Sequence, residues 1–154
     1  MFNKVRIIGG VVFVIVAGVA GLLSNMSANT YNEWANAVRP ILVQQDALLS
    51  EVDSTAMTAM SVAIPGFLQR SLALQAQLQS IAPDDEEIAA LHQHMVTRSV
   101  SIHSGLGVVQ QAVNNNDQNL LQGAHQHFTQ AGAHLQAFTT ARQAYLDRHD
   151  LHLE

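Results

Sequence analysis

Residues 121–145 read LQGAHQHFTQAGAHLQAFTTARQAY, and their apolar members Leu121, Ala124, Phe128, Ala131, Leu135, Phe138 and Tyr145 recur at helical spacing. Side chains three or four positions apart share one face of an α-helix, so this stretch predicts a helix with a single apolar seam. A helix with one apolar seam needs partners to cover it. The residues upstream supply them.

Asn114-Asn115-Asn116 is the clearest turn signal in the chain, and Asp117 is placed to cap the helix after it. Before that turn, Ile88, Leu91, Met95, Ile102, Leu106, Val109 and Val113 form a second seam, interrupted by Arg98. Asp84, Asp85, Glu86 and Glu87 load its N-terminus with the negative charge that a helix dipole favours. Ala82-Pro83 closes a shorter segment whose apolar face is Phe67, Leu68, Leu74, Leu78 and Ile81. Ile64-Pro65-Gly66 reads as the break before it, with Pro65 in the first turn. Further back, Thr30-Tyr31-Asn32-Glu33 matches a capping box. It opens a segment with Trp34, Val38, Ile41, Leu48, Val52 and Ala59 on one face, broken by Gln45 and Thr55 and running to about Ser61. Pro40 falls inside it and predicts a kink. No stretch sustains strand alternation. The expected fold is all-α: a single N-terminal transmembrane helix followed by an up-down-up-down four-helix bundle.

The transmembrane helix is read from residues 7–23, which hold no charged or strongly polar side chain. At about 1.5 Å per residue this run spans roughly 26 Å, the short end for a bilayer core. Lys4 and Arg6 precede it and can snorkel to the headgroups. Positive charge before the run and none just after it place the N-terminus in the cytoplasm and the C-terminal domain outside, in the periplasm or its equivalent. Residues 1–27 are thus expected to be a cytoplasmic start plus membrane anchor, and residues 28–154 an extracytoplasmic bundle. The rival reading is a cleaved signal peptide, with Gly18-Val19-Ala20 offering the small residues a signal peptidase prefers. Within the run, Ala17 with Gly21 and Ala20 with Ser24 form small-xxx-small pairs, the expected helix–helix contact in the membrane.

The chain has no cysteine, which removes disulfides, thiolate metal sites, c-type haem attachment and lipoprotein acylation. Beyond residue 23 the only strong bases are arginines, and all twelve acidic residues lie there too. No cluster of Lys and Arg is present, so nucleic acid is not an expected partner.

All eight histidines lie in the last two helical segments or just beyond them. A His-x-His pair on a helix directs its rings about 200° apart, so His92 with His94, and His125 with His127, cannot share one ion. Only His149 and His152 have chelating spacing, with Asp150 or Glu154 nearby, at an end where fraying is expected. No metal or cofactor is expected, and the histidines are read as partly exposed flanks of the bundle. Met57, Met60 and Met95 are read as core fillers rather than haem ligands. Acid sensing by the histidines is compatible with this pattern.

No nucleophile elbow, phosphate-cradling loop or His-Glu-x-x-His signature is present, so no catalytic residue is named and enzymatic activity is not expected. The expected role is a non-catalytic, single-pass accessory or structural subunit of a larger membrane complex. Its partners would be membrane lipid and other membrane-protein subunits, met through the anchor and the bundle surface. Respiratory or photosynthetic electron-transfer complexes are a natural host class by analogy. The alternative is an extracytoplasmic ligand- or metal-binding sensory bundle.

Overall fold

The computed structural model describes residues 29–151, and four helices account for almost all of these described residues. They are α1 (Asn29–Ser54), α2 (Met57–Ser80), α3 (Glu86–Asn115) and α4 (Leu120–Arg148). No strand occurs among the described residues. Consecutive helices run antiparallel and enclose one core. The α3–α4 hairpin has the most extensive contacts, followed by α2 with α3 and α1 with α2. The expected all-α bundle is therefore present. The run at 7–23, with Ala17, Ala20, Gly21 and Ser24, lies outside the described residues, as do His152 and Glu154. No helix among the described residues is long and apolar enough to cross a membrane.

The α4 seam is buried throughout, from Leu121 to Tyr145. The turn before it is as expected: Asn116 takes a left-handed conformation (φ 50°) and donates its N–H back to the end of α3. Asp117 acts slightly differently from the expected helix cap. Its carboxylate accepts the N–H of Asn119 at 2.9 Å, closing an Asx turn, and α4 starts at Leu120. At the other end of α3, Asp85 is a true N-cap whose Oδ1 accepts the Ile88 N–H at 2.9 Å, with Glu86 and Glu87 in the first turn.

Two boundaries differ from the sequence reading. Thr30 lies within α1 and is not its cap. The α1–α2 break falls at Thr55 and Ala56, not at Ile64-Pro65-Gly66. Here the hydroxyls of Ser54 and Thr55 both donate to the Glu51 carbonyl, at 3.0 and 2.6 Å, competing with the backbone for the last turn. Pro65 instead sits inside α2. A proline there removes the bond to the Ser61 carbonyl, and Ser61 is exposed, so water can replace the missing partner. The seam break at Thr55 marked the real boundary.

Gly105 explains why α3 and α4 approach so closely. A Cβ built there would lie 3.0 Å from the Phe128 ring and 3.3 Å from the His127 Cβ, so glycine admits the phenyl ring against the α3 backbone. Gly107, on another face of the same helix, has open space around it.

Candidate functional site

Most of the buried polar residues of the bundle fall in two layers. The central one begins at Arg98, whose side chain is fully buried. Its Nη2 donates to Asp46 Oδ1 at 2.8 Å and its Nη1 to Gln45 Oε1 at 2.9 Å. Gln45 Nε2 then donates to Ser99 Oγ at 2.6 Å. The two seam interruptions, Gln45 on α1 and Arg98 on α3, are thus partners in one bridge across the bundle. Burial pushes the Asp46 carboxyl above its ordinary value and works against the charge on Arg98, and their mutual attraction opposes both shifts. A guanidinium keeps its proton in a protein, so Arg98 is a buried cation, with the Asp46 carboxyl 2.8 Å from it. Arg98 Nε has no hydrogen-bond partner, and neither does Arg142 Nη2 near the bundle end.

The second layer lies at the end of the bundle where α1 and α3 begin and α2 and α4 finish. Trp34 Nε1 donates to His92 Nδ1 at 3.2 Å, and His92 Nε2 sits 3.0 Å from the Leu78 carbonyl. Around Trp34 stand Tyr31, edge-on at 5.6 Å between centroids, and Phe138 at 6.2 Å. Tyr145 stacks on Tyr31 at 5.8 Å. Arg142 Nε donates to the Tyr31 hydroxyl at 2.8 Å, and its guanidinium carbon lies 5.9 Å from the centre of that ring. Burial raises the Tyr31 hydroxyl above its ordinary pKa although Arg142 and Arg39 pull it down.

His92 corrects the reading of the histidines as partly exposed flanks, because only 6% of its surface is exposed. A single apolar seam describes a helix with one partner. α3 packs against α2, α4 and α1, and its buried face widens to include His92, Arg98, Ser99 and Ser101. His94, His103, His127 and His134 are half-buried, and His125 and His149 are exposed, in keeping with the expectation.

His149, one of the two chelating candidates, is engaged elsewhere. Its Nε2 lies 3.0 Å from Glu87 Oε2, which also accepts from Arg148 Nη2 at 3.2 Å. These contacts tie the end of α4 to the start of α3. Among the described residues no group of three or more His, Asp or Glu side chains could hold a metal ion. Met60 and Met95 are fully buried core residues.

One further pair was not visible in spacing: Ser71 Oγ lies 3.2 Å from His103 Nδ1. A hydroxyl beside an imidazole is the beginning of a nucleophile–base arrangement. Here Ser71 is 2% exposed, which shuts a substrate away from its oxygen, and no described carboxylate hydrogen-bonds His103. The pair is a bridge between α2 and α3. Compared with protein-family models, with curated protein sequences and with solved structures, the chain matches none.

Proposed function

We propose that this protein is a membrane-anchored, non-catalytic accessory subunit that works by holding a rigid helical bundle against other membrane proteins outside the cytoplasm. The observation that carries the reading is a pairing within one chain. An apolar run at 7–23 is followed by a bundle whose buried polar side chains bond to one another across helices. Arg98, Asp46, Gln45, Ser99, Trp34 and His92 join α1 to α3, which favours a scaffold of fixed shape. The part of the chain after the apolar run has no lysine, so its surface lacks the long mobile ammonium groups that disfavour burial in an interface. Small residues at 17, 20, 21 and 24 suit close approach of a partner helix. Electron-transfer complexes of respiration or photosynthesis are the host class the reading suggests by analogy.

The test is extraction of the native protein in mild detergent, followed by native electrophoresis and mass spectrometry. Co-migration with other membrane subunits is expected, and leucine at Ala17, Ala20, Gly21 and Ser24 should abolish it. Migration of the unaltered chain as a lone 16.7 kDa species would sink the proposal.

A further inference from the structure

The Trp34–His92–Leu78 chain admits only one state of the imidazole. An indole N–H can only donate and a peptide carbonyl can only accept. His92 must therefore present a lone pair at Nδ1 to Trp34 and a proton at Nε2 to Leu78, which is the neutral Nε2–H tautomer. A second proton can bind only at Nδ1. It would then point at the Trp34 N–H across 3.2 Å, placing donor against donor.

We propose that His92 is an acid-released latch, whose protonation breaks the Trp34–His92–Leu78 chain and frees the start of α1 from the end of α2 and the start of α3. The surroundings offer a charged ring little compensation. The group facing it from α1 is Trp34 and from α2 the Leu78 carbonyl, and no charged side chain from any of the four helices acts on it. The Leu78 carbonyl favours the charged ring, but burial outweighs it. The next titratable groups lie behind Trp34: Tyr31, then Tyr145 and Arg142 from α4. Neither tyrosine is ionised near neutral pH, since burial raises both, and Arg142 is a cation. None of these three stabilises a second positive charge.

Burial holds the His92 pKa below its ordinary 6.5, so the folded chain binds fewer protons at this site than the unfolded chain. The contribution of His92 to stability is complete above 6.5 and falls as the pH drops below it, down to the folded value. The surface carboxylates titrate in a different window. Arg70 holds Glu51, and His149 and Arg148 hold Glu87, below the ordinary 4.5. Those ion pairs are lost only below 4.5, whereas the contribution of His92 begins to fall at 6.5. The inference goes beyond the accessory-subunit reading and does not rest on it.

Trp34 is the only tryptophan, so the fluorescence of the full-length chain in mild detergent reports on the latch directly. Titration from about pH 8 to about pH 5 should shift the emission to the red, with a midpoint below 6.5. In His92→Gln the amide can accept from Trp34 and donate to Leu78 without titrating, and the shift should vanish. A flat wild-type emission, or the same shift in His92→Gln, overturns the proposal. Should that variant fail to fold, nitrogen NMR of the wild-type imidazoles still decides. The His92 ring is expected as the Nε2–H tautomer at the upper pH, and the Nδ1–H tautomer or a charged ring there refutes the latch.

Discussion

The two buried polar layers solve the same physical problem in opposite ways. The central layer buries a charge and must therefore bury its counter-charge: Arg98 reaches Asp46 at 2.8 Å, and Gln45 shares the load by bonding Arg98 and Ser99 together. In the end layer the bridge itself carries no charge, and the buried Arg142 guanidinium lies to one side of it against Tyr31. Trp34 uses the single acceptor of a neutral imidazole and the Leu78 carbonyl its single donor, so that ring has no unused polar atom. Both layers fix the register of α1 against α3. They differ in what disturbs them. Removing a partner damages the ionic layer most, because it strands a charge away from water. Adding a proton damages the neutral layer most, because the bridge depends on one tautomer.

The largest expected effect tests the ionic layer. Arg98→Ala should cost about 3–5 kcal/mol by urea unfolding, since Asp46 and Gln45 lose their shared donor inside the bundle. Replacing the layer as a unit, with Gln45→Leu, Asp46→Leu and Arg98→Met together, should recover most of that loss. If Arg98→Ala is nearly neutral, the guanidinium contributes little and the contrast between the layers fails. Next comes the neutral layer. Trp34→Phe keeps a ring but removes the N–H, leaving His92 Nδ1 unpaired, and should cost about 1–3 kcal/mol at pH 8. It should also make His92 easier to protonate, because the incoming proton no longer meets a donor. The folded pKa then moves back toward the unfolded one, so stability should fall less steeply below 6.5 in Trp34→Phe than in the wild type. A steeper fall in the variant would show that the Trp34 N–H does not oppose the proton.

The smallest effects lie outside both layers, where packing alone decides. Gly107→Ala should gain up to about 1 kcal/mol, since alanine favours the helix and the added methyl meets nothing. Gly105→Ala should lose stability, because Phe128 ring atoms 3.0 Å from the new Cβ must shift within the core. Equal gains at the two glycines would show that the α3–α4 approach does not select glycine.

Periodicity identified the helices because burial of one face leaves a direct trace in residue order. Leu121 to Tyr145, Ile88 to Val109 and the acidic start of α3 are local signals and are where they were expected, while the turn read at Asn114–Asn116 begins only at Asn116, the first two asparagines closing α3. The boundary between α1 and α2 was misplaced because Pro65 and Gly66 are strong punctuation in a sequence, yet a helix continues through a proline on its exposed face, where water can bond the freed carbonyl. The quieter signal, Thr55 interrupting a seam, carried the information. Gln45 and Arg98 were likewise visible as interruptions, though nothing local says that two interruptions on separate helices belong together.

From the chain order alone come the all-α class, the apolar run at 7–23, the acidic cap of α3 and the polar exceptions in each seam, since each depends on neighbours within a few residues. Tertiary packing decided that the exceptions at 45 and 98 meet. It also placed His92 beneath α1, where it lost its solvent, and drew His149 to Glu87. The reason is geometric: a helix with three neighbours buries a wider arc than its own seam announces, and only the packed bundle reveals which side chains that wider arc encloses.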